Sequence, residues 1–310
     1  MNSHALIDLH CDTLTVGRGP DTLDDPGCAL SLSRLPKGVR WAQFFAAFIP
    51  DELRGAAAVE YFERFRASFF RQMERFSALV RPCLSCADME SAWAEGKTAA
   101  FLTVENGSVL AGKPERVETI ARQGVRAVTL TWNGENELGS GYETERDLTP
   151  FGRTAVRELE RHGVLVDASH LNDAGFSDLL ETAERPFLAT HSNARAICPH
   201  KRNLTDEMIR EMARRGCLIG LNYYVEFLCA DRTAGLDDVY RHIMHFFELG
   251  ARQSLALGSD FDGAVLPACL NSPEKAAAMY EYLLSRGVAQ TDVDGIFHVN
   301  AREFLRRNLP

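Results

Sequence analysis

Several features are missing from this chain of 310 residues, and each absence removes a class of explanation. No basic block occurs anywhere, and the formal net charge is -9. A nucleic-acid surface needs clustered Lys and Arg to displace counterions, so the composition argues against nucleic acid as a partner. No apolar stretch reaches the roughly 20 residues that a membrane-spanning helix requires. Met1 to Leu9 includes Asp8 and lacks both a basic start and a sustained apolar run, so no secretory signal is expected. Eight cysteines without such a signal read as reduced, buried thiols, and the expected location is the cytoplasm. Cys83 and Cys86 in "RPCLSC" have the CxxC spacing of redox and zinc-knuckle sites, but no second CxxC supplies the context. No Gly-rich phosphate turn follows an early strand, which counts against a doubly wound dinucleotide fold. No Pro/Ser-rich linker, shift in composition or internal repeat divides the chain, so residues 1–310 are expected to form one domain.

What is present is alternation. Short apolar, β-branched or aromatic runs at 5–10, 41–49, 99–105, 126–132, 164–170, 186–192, 217–223 and 253–260 read as strands. Helical patterns fit between them at 53–78, 115–123, 151–162, 172–184, 205–215 and 236–249, and two more follow at 273–286 and 291–307. Thr205 with Asp206 and Glu207 resembles a capped helix start, and Gly163 after "RELERH" a helix stop. Eight near-continuous apolar strands separated by helices predict an α/β fold, a (β/α)8 TIM barrel. Long loops after the first strand (13–40) and the fourth (133–150) would then lie over the C-terminal face, where barrels bind substrates.

The strand "LIDLHCDTL" should continue in apolar side chains, yet it closes on His10 and Asp12. Other strands end in the same way: Glu105 in "FLTVENG", His170 in "VDASH", His191 in "FLATHS" and Asp260 in "ALGSDFDG". A lone His or Asp at a strand end is ordinarily structural, but a barrel brings these five ends to one mouth. His10 and Asp12, at i and i+2, project to the same side of extended backbone. Together with Glu105, His170 and His191 they form a mixed nitrogen and oxygen set suited to zinc or a similar divalent ion. One catalytic zinc uses about three protein ligands, so five suggest two ions. Glu105 is then the natural bridge, with His10 and Asp12 on one ion and His170 and His191 on the other. A pair of ions so held suits hydrolysis.

These residues resemble the membrane (renal) dipeptidase family, binuclear zinc peptidases with an amidohydrolase-like barrel. The resemblance runs from "DLHCDTL" through "VEN", "LTPFGRTAVRELERHGVLVDASH", "THSNARAICPHKRNLTD" and "GLNYY" to "GSDFDG". It implies two zinc ions with Glu105 between them, and cleavage of dipeptides, some with a C-terminal D-residue. It places His10, Asp12, Glu105, His170 and His191 on ligand positions. It sets Arg202 on the substrate's terminal carboxylate, which an Arg fork reads bidentately. Asp260 falls on the proton-shuttling acid, able to take a proton from water and hand it to the leaving amine. Asp262 is a weaker substitute for that role. The chain departs from the animal members at the end of the fourth strand, where Trp132, followed by Asn133, replaces a histidine that contacts the oxyanion or substrate. Trp132 is expected to shape substrate choice, with Asn133 as an additional donor. The resemblance also suggests a homodimer.

Two other readings stay open at this stage: a binuclear amidohydrolase acting on N-acyl amino acids, lactams or lactones, and a non-catalytic barrel. Asp260 beside the ligand set counts against the second, because a closed structural site needs no proton shuttle. Asp167 could orient a ligand from behind. His242 and His245, three apart on a helical stretch, have no third ligand near them in sequence, and His200 has no assigned role.

Overall fold

Nine parallel strands appear in the computed structural model, which describes residues 5–16 and 22–309. They are β1 (Ala5–Cys11), β2 (Arg40–Phe48), β3 (Val80–Pro82), β4 (Thr98–Glu105), β5 (Val125–Thr129), β6 (Leu165–Asp167), β7 (Leu188–Ala189), β8 (Leu218–Leu221) and β9 (Leu255–Leu257). Their order is β2-β1-β9-β8-β7-β6-β5-β4-β3, and a further pairing of β2 with β4 closes eight of them into a barrel. β3 stays outside the ring, paired along the start of β4 from Val80–Thr98 to Pro82–Ala100. The α/β barrel is the fold expected from the alternating pattern. The helices are α1 (Gly55–Arg75), α2 (Cys86–Ala94), α3 (Glu115–Arg122), α4 (Pro150–Arg161), α5 (Asp173–Thr182), α6 (Asp206–Arg214), α7 (Val225–Leu228), α8 (Leu236–Glu248), α9 (Ala276–Ser285), α10 (Gln290–Asp294) and α11 (Asn300–Asn308).

Local chemistry sets several helix starts. Ser85, Thr149, Asn172 and Thr205 each accept a backbone N–H from three residues on, satisfying an orphan donor worth about 1 kcal/mol. After α4, Gly163 adopts φ +67, the left-handed stop that its sequence position suggests. Two elements escape the periodic pattern: β3 has three residues, and α2 begins inside the CxxC. Cys83 and Cys86 point to backbone carbonyls of Arg81 and Arg302, at 3.5 and 3.7 Å, and neither forms a disulfide. The CxxC is therefore packing. The last helical stretch is not continuous either, because a π-helical segment over Gly295–Val299 separates α10 from α11.

The barrel interior is filled by an inner set that includes Ile7, Phe44, Phe101, Leu165, Leu188 and Leu218. A larger set, among them Leu6, Phe45, Leu102, Val128, Val166 and Ile219, packs the outside of the strands against the helices. β1 changes sides between these sets. Asp8 pairs with Gln43 but Cys11 pairs with Phe45, so three steps on β1 pass two on β2. Such a β-bulge re-aims the side chains that follow it. Leu9 still packs with the inner set of Ala5 and Ile7, and strict alternation would send Cys11 in next; the bulge turns Cys11 outward and sends His10 and Asp12 to the mouth.

Candidate active site

The five candidate ligands and Asp260 meet at the C-terminal mouth of the barrel, all buried. Glu105 stands between two groups. Its Oε2 lies 3.4 Å from Nε2 of His10, which is itself 3.4 Å from Oδ2 of Asp12. Its Oε1 lies 2.9 Å from Nε2 of His170 and 3.8 Å from Nε2 of His191. Asp260 belongs to the His10 side, since ligand atoms of His10, Asp12 and Asp260 all lie within 4.8 Å of one another.

Neighbouring side chains fix the imidazoles. Asn133 Oδ1 is 2.9 Å from His170 Nδ1, and a carboxamide oxygen can only accept, so Nδ1 carries the proton. Thr190 donates its hydroxyl to Asp167 at 2.6 Å, leaving its lone pairs for His191 Nδ1 at 2.8 Å. Asp167 is held in turn by Thr129 Oγ1 at 2.6 Å and by the N–H groups of Ser169 and Thr190, both at 2.9 Å. Both Nε2 atoms therefore present lone pairs to the centre, 2.9 Å apart. Two such lone pairs repel unless a cation takes them.

The donor set fits divalent metal on further grounds. His10 Nε2 and Asp12 Oδ1 are buried without a hydrogen-bond partner, which is costly for groups with no other occupation. Burial alone would hold His10 neutral, but the Glu105 and Asp12 carboxylates outweigh it and raise its pKa well above the ordinary value. A proton and a metal ion compete for that nitrogen. Burial, reinforced by Asp12, lifts Glu105 to about 7. Burial also lifts Asp260 to about 6, against the pull of His10. His170 and His191 are driven well below the usual imidazole range by burial, with the Arg202 and His10 charges adding to it.

Strained backbone concentrates here. His170 (φ 72), Asp260 (φ 64) and Asp262 (φ 67) lie in the left-handed region, uncommon for residues with a side chain. Gly263 closes the same turn, and a Cβ there would sit 2.1 Å from Asp12 Oδ2 and 2.5 Å from Asp260 Oδ1. Asp260 Oδ2 accepts from Asn222 at 3.1 Å, while Asp262 accepts from Thr13 Oγ1 and the N–H of Ala29, both at 2.6 Å. Asp262 thus ties the loop after β1 down onto β9, and residues 17–21 of that loop lie outside the described set. His242 and His245 are structural: His242 accepts from Ala194 N and bonds the Leu228 carbonyl, and His245 pairs with Asp206 at 2.8 Å.

A cleft of about 510 Å³ opens over the centre. Trp132, packed edge-on to Phe48 at 4.8 Å, forms one wall, and Tyr142, His200 and Phe227 form another. Arg202 is buried beside it, donating to Ser192 Oγ at 2.8 Å and the His191 carbonyl at 3.0 Å, while its Nε has no partner. Burial lowers that guanidinium to about 10, so it stays charged. Sequence reasoning missed Thr129, Thr190, Asn222 and Gly263; Thr190, directly before His191, was the readable sign of an orienting hydroxyl.

The sequence profile of the membrane dipeptidase family, peptidase family M19, matches residues 1–307. The chain belongs to that family. Membership makes it a metal-dependent hydrolase of the dipeptidase kind. A curated relative, a Klebsiella pneumoniae protein named only for its place in the pqqA 5′ region, is 31% identical over 239 residues, covering 73% of this chain and 88% of the relative. Two solved structures share the fold with a TM-score of 0.94 each. A Rhodobacter sphaeroides metallopeptidase liganded with a phosphinate mimic of L-Ala-D-Ala is 24% identical and is covered over 99% of this chain and 100% of its own. The dipeptidase AC, a family M19 metallopeptidase, is 25% identical over 99% of each chain. Among the described residues, no helix is long and apolar enough to cross a membrane.

Proposed function

We propose that this family member cleaves dipeptides, including those with a C-terminal D-residue, using two zinc ions held by His10 and Asp12 on one side and His170 and His191 on the other, with Glu105 shared. The observation that carries this is the Glu105 carboxylate, one oxygen toward His10 and the other toward His170 and His191. Bound there, the ions would activate water and polarise the scissile carbonyl. The D-residue rests on the L-Ala-D-Ala mimic seen in the Rhodobacter sphaeroides relative. Asn133 and Thr190 hold the imidazoles so that Nε2 faces inward. Asp260, steadied by Asn222, takes the proton from water and passes it to the leaving amine. The free thiols of Cys83 and Cys86 extend the proposal to the cytoplasm, the undivided composition to one catalytic domain, and the family resemblance to a homodimer. A hydrolysis screen of the zinc-reconstituted protein should show turnover of L-L and L-D dipeptides and little on N-acyl amino acids, lactams or lactones; the reverse pattern overturns the reading.

Arg202 supplies the charge for the substrate's terminal carboxylate. Arg202→Ala should cost about 2 to 5 kcal/mol in kcat/KM on free dipeptides, the range for stranding one partner of a desolvated charge pair. C-terminally amidated dipeptides should lose much less. Equal losses on both remove Arg202 from recognition.

Trp132 lines the cleft with its ring 6.4 Å from that of His170. An indole can donate one hydrogen bond but cannot carry positive charge as an imidazole can. Trp132→Phe keeps the wall and deletes the donor, so it should change the ranking among dipeptides more than the best turnover. A uniform drop of about 10²-fold, the size for a lost oxyanion donor, would make Trp132 catalytic instead.

A further inference from the structure

His200 is a polar side chain on the cleft wall that the proposed chemistry leaves unused. The backbone N–H of Arg202 points at His200 Nδ1, 3.1 Å away. An N–H can only donate, so Nδ1 must be the acceptor and the ring's proton sits on Nε2. Burial and the neighbouring Arg202 charge both disfavour a second proton, so the ring stays neutral. Its orientation is fixed. The imidazole packs against Phe227 with centroids 4.7 Å apart and against Tyr142 at 5.5 Å. Asn203 ties this loop to the next, donating to the carbonyls of Cys198 and Phe227, both at 2.9 Å. No hydrogen bond from Nε2 is made to any described residue.

The same Phe227 ring also faces the guanidinium of Arg202, with Cζ 5.7 Å from its centroid. Two donors from one loop, one charged and one neutral, thus flank a single aromatic ring, and each keeps an unpartnered N–H, Nε of Arg202 and Nε2 of His200. Glu226 on that wall is drawn away to Arg232 at 3.1 Å. A carboxylate, with an acceptor oxygen for each donor, suits this pair.

We propose that His200 is a second reader of the dipeptide's C-terminal carboxylate, its Nε2–H donating to one oxygen beside the charge of Arg202. The proposal rests on the cleft being a dipeptide site. Two isosteres separate the ring's two jobs. His200→Asn keeps an acceptor where Nδ1 meets the Arg202 N–H and removes the cleft donor; His200→Gln keeps a donor near Nε2. In the zinc-loaded enzyme, His200→Asn should raise KM for free dipeptides about 10-fold or more, the size of one hydrogen bond to a charged group, with kcat little changed. Amidated dipeptides should be unaffected, and His200→Gln should recover part of the loss. Unchanged KM in His200→Asn, or equal losses on amidated substrates, overturns the proposal. A second measurement is independent of turnover. In protein carrying ¹⁵N-labelled histidine, the signal lost in both variants should report a neutral ring protonated at Nε2 that shifts when a dipeptide phosphinate is added. A ring protonated at Nδ1, or one that does not respond to the phosphinate, overturns it. If the wild type turns over no dipeptide, the functional reading fails; if it turns them over and the His200 signal ignores the phosphinate, only the His200 proposal fails.

Discussion

Replacing Glu105 by glutamine is expected to weaken both halves of the metal centre at once. Each oxygen of this carboxylate faces a different group, so a neutral amide removes the shared negative charge from both. Purified wild type should hold close to two divalent ions per chain and the variant fewer than one. Turnover should fall about 10³-fold or more, which corresponds to several kcal/mol of transition-state stabilisation. Stability should move the other way. With the metal chelated, the wild type keeps a buried carboxylate whose ionisation is disfavoured by burial and then by Asp12, with His10 offsetting only part, so Glu105 is pushed up to about 7. An amide there removes part of that cost, so metal-free Glu105→Gln should melt no lower than the metal-free wild type. Glutamine also leaves in place the Glu105 backbone carbonyl, which accepts from Ile49 at 3.0 Å. Two ions retained in the variant would end the shared-ligand reading, and a large loss of metal-free stability would make Glu105 a structural residue.

The ligand side chains were legible because they broke a pattern. Buried parallel strands should run on in apolar residues, and His10, Glu105, His170 and His191 interrupt that run where a barrel gathers its strand ends. How they are aimed was hidden. The i, i+2 spacing shows that His10 and Asp12 share a side, but only the slip in register between Asp8 and Cys11 makes that side the inner one. Alternation alone would give that place to Cys11. Asn133 is another case: its position beside Trp132 suggested a substrate donor, and its oxygen has a further task, accepting from His170 Nδ1, while its NH2 stays available as a donor. A carboxamide does both at once, and the accepting task depends on a contact 37 residues away in sequence. Asp167 likewise orients from behind, but through the Thr190 hydroxyl rather than by touching a histidine. β3 was unreadable because three residues carry no period, and α2 because its helix starts at Cys86, inside a pattern that suggests a metal knuckle.

Asp260→Asn should separate proton transfer from metal binding. Asparagine is the right probe for three physical reasons. It tolerates the left-handed backbone at φ 64 better than most residues, so the turn into Gly263 is not further strained. It is isosteric, and an added atom in this turn would have no room, given that even a Cβ on Gly263 would lie 2.5 Å from Asp260 Oδ1. Its oxygen can still accept from Asn222, which donates to Asp260 Oδ2 at 3.1 Å. What it cannot do is take up a proton and release it. Burial lifts Asp260 to about 6, close to the range in which a carboxylate can exchange protons near neutral pH. Turnover of dipeptides should therefore fall about 10²- to 10⁴-fold, the usual contribution of a positioned acid or base, with metal content still close to two ions per chain. Substrates whose leaving amine is weakly basic need less help from an acid, so an anilide should lose less than a dipeptide. Because Asp260 also lies near His10 and Asp12, a direct ligand role makes a distinct forecast: metal content and turnover fall together, and the anilide is spared nothing. Preserved turnover on every substrate would leave Asp260 only its place in the turn.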